Sequence, residues 1–149
     1  MSLKEQLYQQ CLDHVNERLQ TITQTIESNQ KALTSETKSS AGDKHETGRA
    51  MLQLEMEKAG QQLQSIQQMK DTLARIDLSK NSEVVVLGSV IETDLGIYFL
   101  SVSVGQIQVE KKIYFAISTS SPIGKLLLGK REGEELVWSG RKIQINKIS

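Results

Sequence analysis

"SSAGDKHETGRAM", residues Ser39–Met51, is a small, polar, glycine-bearing break between two long segments whose apolar residues recur at helical spacing. Before it, Leu12, Val15, Leu19, Ile22, Ile26 and Leu33 are separated by alternating steps of three and four, with Asn29 in the remaining slot. After it the same rhythm runs through Leu52, Met56, Ala59, Leu63, Ile66, Met69, Leu73 and Ile76, with one shortened step between Ile66 and Met69 that changes the winding locally. Both are heptad seams. A stripe this narrow does not hold a helix on its own; its stability comes from burial against a partner. Because the break falls midway between two matching seams, the second helix is the expected partner, folded back antiparallel on the first. Pairing of each seam with a second molecule is the competing use. A helix of about 30 residues is about 45 Å long, so the break is expected at the far end of a slender rod.

The remainder of the chain changes period. "EVVVLGSVIETD", "GIYFLSVSV", "QIQVEKKIYFAIS", "ELVWSG" and "RKIQINKIS" are β-branched and alternate or run apolar, and they read as five strands. Turn chemistry separates neighbours at "TDLG" and "SG". Between them lies "SPIGKLLLGKREG": Ser121 fits a helix N-cap, Pro122 the first helical position, and Gly129 the C-terminal stop. The expected class is α+β: an antiparallel coiled-coil hairpin over 1–77 with its tip at about 38–46, a linker at 78–82, and a small antiparallel sheet domain with one short helix over 83–149.

Composition narrows the function. Eighteen basic and eighteen acidic residues leave no net charge, so no bulk field draws the chain to nucleic acid or anionic lipid. No N-terminal apolar segment reads as a secretory signal, and "VVVLGSVI" is too short to span a bilayer. A single cysteine, Cys11, excludes an internal disulfide. A reducing, cytoplasmic setting, a protein off the membrane and a monomer are expected. A lone proline, Pro122, suits long helices. No phosphate-binding loop, dinucleotide glycine pattern or nucleophile elbow is present, so no self-contained active site and no tightly bound cofactor are expected.

Individual residues offer little chemistry by themselves. Asp43 and Glu46, three apart at the start of a helix, lie on one side of it. Two acids can share a divalent cation, but Mg²⁺ needs further oxygens from water, substrate or another protein, so they form half a site. Acids at a helix start also simply complement its dipole. His45 could carry a proton, because the reference pKa of a histidine side chain lies near neutrality, and otherwise reads as a solvated turn residue. Cys11 and His14, also three apart, lack further ligands or a positioned third group. Tyr98, Phe99, Tyr114, Phe115 and Trp138 sit in strand patterns and read as core. Lys125, Lys130 and Arg131 cluster beside the short helix, as a docking patch or a solvated face.

"SPIGKLLLGKREGEEL", Ser121–Leu136, resembles the C-terminal signature of Gre-type transcript cleavage factors. Ser121, Pro122, Ile123, Gly124, Leu127, Leu128, Gly129, Lys130, Gly133 and Leu136 match it; Leu126 stands where alanine is usual and Glu134 where aspartate is. The break agrees, since the family carries a Gly-Asp-x-Ser-Glu-Asn-like tip and this chain has Gly42, Asp43 and Glu46 at that spacing. The order of parts agrees as well, and the resemblance spans nearly the whole chain.

The resemblance implies an FKBP-like C-terminal domain and binding to bacterial RNA polymerase, with the coiled coil entering the secondary channel. It implies that Asp43 and Glu46 face the polymerase's own Mg²⁺ site and help hold a metal and a water, so that the polymerase hydrolyses the 3′ end of a backtracked RNA. The metal is then the polymerase's, and this chain is an accessory factor rather than an enzyme. Ser121, Pro122, Ile123, Gly124 and Lys125 are the implied polymerase-docking residues. At the tip, His45, Thr47, Gly48 and Arg49 depart from the family pattern. Two alternatives stay open: a secondary-channel regulator without cleavage activity, and a coiled-coil scaffold for an unrelated partner.

Overall fold

The computed structural model describes the backbone of residues 1–38 and 42–149, and the side chains of these except 36–38 and 42–46. The fold is α+β: two long helices, α1 (Leu3–Lys38) and α2 (Gly42–Ala74), precede a six-stranded mixed sheet with one short helix. The chain divides into two compact units, Val15–Lys70 and Met1–His14 with Asp71–Ser149. The first turns of α1 and the last of α2 are grouped with the sheet.

The helical unit is built on the heptad seam. Val15, Ile22, Ala59 and Ile66 are buried, and Leu19, Ile26, Asn29, Leu33, Leu52, Met56, Leu63 and Met69 are half-buried. Most positions between them are exposed. Arg18 Nη1 donates to Met69 Sδ at 3.5 Å across the pair. Burying an isoleucine side chain is worth about 2 kcal/mol, so the Ile22 and Ile66 layer contributes more than any single propensity in either helix. Threonines off the seam satisfy their hydroxyls locally: Thr23, Thr25 and Thr34 donate to the carbonyls of Leu19, Thr21 and Gln30.

In the second unit the strands are β1 (Val90–Thr93), β2 (Ile97–Ser101), β3 (Gly105–Val109), β4 (Lys112–Ser118), β5 (Glu135–Trp138) and β6 (Arg141–Ile148), with α3 (Pro122–Leu127) between β4 and β5. Their order across the sheet is β3-β4-β2-β1-β6-β5. Six strands stand where five were expected, and one neighbouring pair of the expected antiparallel sheet is parallel. "QIQVEKKIYFAIS" is two strands, because Glu110 and Lys111 both take left-handed conformations, φ 50° and 69°, and turn the chain in two residues. The resulting hairpin joins the sheet by its second strand, so β4 lies parallel to β2, with Tyr98 opposite Phe115 and Leu100 opposite Ile117. All other neighbours are antiparallel.

"EVVVL" is not a strand. Gly88 sits at φ 94°, the Ser89 hydroxyl accepts from the Val86 N–H at 2.9 Å, and pairing begins only at Val90. Val84 makes an isolated bridge to Arg131.

The central strand β2 is covered on both faces. Tyr98 and Leu100 join Val85, Ile91, Ile123, Leu127, Leu136, Ile143, Ile145 and Ile148 in the core beneath α3, with Trp138 packed against it. On the other face Ser101 is fully buried with its hydroxyl 3.7 Å from the Cys11 thiol, and Gln10 donates to the Gln108 carbonyl at 2.9 Å. The N-terminal turns of α1, with Leu7 and Cys11 buried, are therefore part of this unit.

Candidate docking helix and tip acids

α3 is held by its cap. The Ser121 hydroxyl accepts from the Gly124 N–H at 3.1 Å and donates to the Ser118 carbonyl at 2.6 Å. The Ser118 hydroxyl in turn accepts from the Ser121 N–H at 3.1 Å. Pro122 occupies the first turn, where no intrahelical donor is lost. Gly124 passes directly over the Ser118 carbonyl oxygen, leaving no room for a Cβ. Beyond the helix the chain is clamped to the segment that failed to become a strand: Gly129 N–H donates to the Val85 carbonyl and Val85 N–H to the Lys130 carbonyl, at 2.9 and 2.8 Å. Gly129 and Gly133 take φ 83° and 85°, conformations that side chains resist.

Most of the Ser121–Leu136 motif therefore does structural work. Ile123, Leu127 and Leu136 fill the core, and Gly124, Gly129 and Gly133 allow the turns and the close approach. Of the five expected docking residues, Ile123 and Gly124 are buried, Ser121 spends its hydroxyl on the cap, and only Pro122 and Lys125 are exposed. The outer surface is extended by two residues the sequence reading passed over, Leu126 and Leu128, 38% and 48% exposed. The available signal was the run of three leucines: a helix of under two turns cannot turn Leu126, Leu127 and Leu128 all inward. Lys130 reaches Glu134 at 4.0 Å and Arg131 reaches Glu83 at 3.6 Å, both on the surface.

Asp43 and Glu46 fall in the first turns of α2, but their side chains, with those of Lys44 and His45, lie outside the described residues. Among the described residues no group of three histidines, cysteines or carboxylates is placed to hold a metal. Cys11 and His14 do not form a site. Burial drives the Cys11 thiol up to about 11, the Ser101 hydrogen bond only partly offsetting it, and a protonated buried thiol is neither ligand nor nucleophile. Burial also raises Tyr98 and Tyr114, the latter helped by Glu92 and Glu110. Asp77, just before the linker, is lowered, first by the Ser79 hydroxyl and then by its N–H. Phe115 departs from the expected core role: it is 37% exposed, tilted against Tyr98 with ring centres 6.0 Å apart. No described helix is long and apolar enough to cross a membrane.

Two solved transcription-factor structures resemble the chain. One, described as the transcription factor Gfh1, is 25% identical, with 97% of this chain and 92% of that one covered and a TM-score of 0.35. The other, a prokaryotic transcription elongation factor GreA/GreB from Nitrosomonas europaea, is 21% identical over 56% of this chain and 78% of that one, with a TM-score of 0.31. No family model and no curated protein matches the chain. Superpositions this loose transfer no residue's position, and the functional reading rests on the residues themselves.

Proposed function

We propose that this chain is a Gre-like accessory factor of bacterial RNA polymerase that docks through the α3 surface and inserts its helix pair into the polymerase secondary channel. The observation that carries the reading is the Ser121–Leu136 motif. It folds as a capped helix locked to the sheet, presenting Pro122, Lys125, Leu126 and Leu128 outward. A paired-helix segment with a matched seam precedes it, with Asp43 and Glu46 at the start of its second helix. Two acids make half a divalent-cation site, which has a use only where another protein supplies the remaining ligands. In the polymerase they complete a two-metal arrangement that stabilises attacking and leaving oxygens during hydrolysis of a backtracked RNA 3′ end. The chain itself supplies position and charge, and the Mg²⁺ belongs to the polymerase.

The tip chemistry favours a second reading, occupation of the channel without cleavage. Lys44 and Arg49 flank the acids and repel a cation. Cleavage of RNA in a purified backtracked complex separates the readings. Faster cleavage by the wild-type chain that Asp43→Ala and Glu46→Ala abolish supports the first. Binding that slows nucleotide addition, unaffected by either substitution, supports the second. Failure to bind core polymerase at all rejects both.

A further inference from the structure

We propose that the helix pair contains a built-in break at the Asn29–Ala59 layer, beyond which residues 29–35 and 47–59 open together as one unit. Arg18 lies against Met69. Stepping eleven residues along each helix from that contact leads from Arg18 to Asn29 and from Met69 to Lys58, so the heptad register assigns Asn29 and the adjacent seam residue Ala59 to one layer. The corresponding layer toward Val15 and Lys70 joins two buried isoleucines, Ile22 and Ile66. The Asn29–Ala59 layer joins a half-buried amide to a methyl group, and no hydrogen bond links the Asn29 side chain to another described residue. A polar residue in a seam fixes register and lowers stability.

Two further observations coincide there. Gly60 follows directly in the middle of α2, and nothing lies within 4 Å of the place a Cβ would occupy. Packing does not require that glycine, so its cost to the helix is uncompensated. Burial also changes at the same level. On one side the buried Val15, Ile22 and Ile66 alternate with the half-buried Leu19, Ile26, Leu63 and Met69; beyond Ala59 no described seam position is buried, Leu33, Met56 and Leu52 all being half-buried. A weak layer, an unneeded helix breaker and a step in burial at one height divide the pair into a firm segment and a labile one. The division is a property of the helices alone and depends on no partner.

Amide hydrogen exchange on the full chain, read residue by residue, tests it. The amides of 30–35 and 47–59 should exchange at a common opening rate, with protection rising about tenfold at a step on reaching 19–26 and 61–69. Protection that climbs smoothly inward from the connection would mean simple end fraying and overturns the proposal. Gly60→Ala, which meets no neighbour, should slow the whole distal set about fivefold and leave the other set unchanged. Asn29→Leu should slow the distal set further. If either substitution slows both sets alike, the helices open all at once and the break does not exist; if neither slows the distal set, that layer is not its boundary.

Discussion

Gly124 and the Ser118 carbonyl oxygen approach so closely that a methyl group on Gly124 has no place to go, and the Ser121 hydroxyl lies on the same side, 2.7 Å from that position. The obstruction is backbone, which cannot swing away as a flexible side chain would. Gly124→Ala should therefore push α3 off its seat and cost about 2 kcal/mol, as overpacking does, read as a lower urea midpoint with an unchanged slope. A wild-type midpoint would show that the β4–α3 junction yields freely.

The cap beside it makes a separate prediction. Ser121 satisfies one helix-start donor and one strand-end carbonyl with a single hydroxyl. Ser121→Ala removes both bonds and should lower stability by about 1 kcal/mol. Ser121→Thr keeps the oxygen and should recover most of it. A wild-type midpoint in Ser121→Ala would show that the two hydrogen bonds make no net contribution.

Cys11 gives the unit a pH dependence. Its thiol is buried against the Ser101 hydroxyl, and burial lifts its ionisation from an ordinary 9.0 to about 11 in the folded state. The folded state thus holds a proton that the unfolded chain releases. That stabilisation is complete below about pH 9 and is lost as pH rises through about 11. Tyr98 and Tyr114, also raised, act in the same direction at the top of this range. Urea titrations should show stability falling by about 2 kcal/mol across that interval, with a shallower fall in Cys11→Ala once its constant cavity cost is set aside. An identical slope in the variant would assign the effect to the tyrosines.

These sites differ in how far they could be read from sequence. The seam from Leu12 to Leu73 was legible position by position, because a repeat sustained over many residues averages out the ambiguity of any one of them. The α3 cap was legible too, since serine then proline at a helix start is local chemistry. The β3–β4 turn was hidden: Glu110 and Lys111 adopt left-handed conformations usually left to glycine or asparagine. The parallel β2–β4 contact was hidden for another reason, as strand order is set by non-local pairing. "VVVL" misled through its composition, because Val85 spends its backbone groups on the loop after α3. At the site the motif was visible, but its buried residues Ile123 and Gly124 concealed that the outward surface belongs to their neighbours.

That surface supplies the last prediction. Leu126 and Leu128 project from α3 and its end, close in sequence to Lys125 and Lys130, whereas Ile123 and Leu127 point inward. Charged replacements at the exposed pair should leave the fold within about 0.5 kcal/mol of wild type, as surface changes do. A docking surface, by contrast, concentrates its energy in a few apolar anchors. Leu126→Glu with Leu128→Glu should therefore weaken binding to core RNA polymerase by about tenfold or more, measured with labelled chain at equilibrium, while the urea midpoint stays fixed. Lys125→Ala should weaken it less and mainly at low salt, because an exposed charge is screened as ionic strength rises. If the double variant binds as wild type does, α3 is not the docking element, and the polymerase contact must be sought elsewhere in the chain.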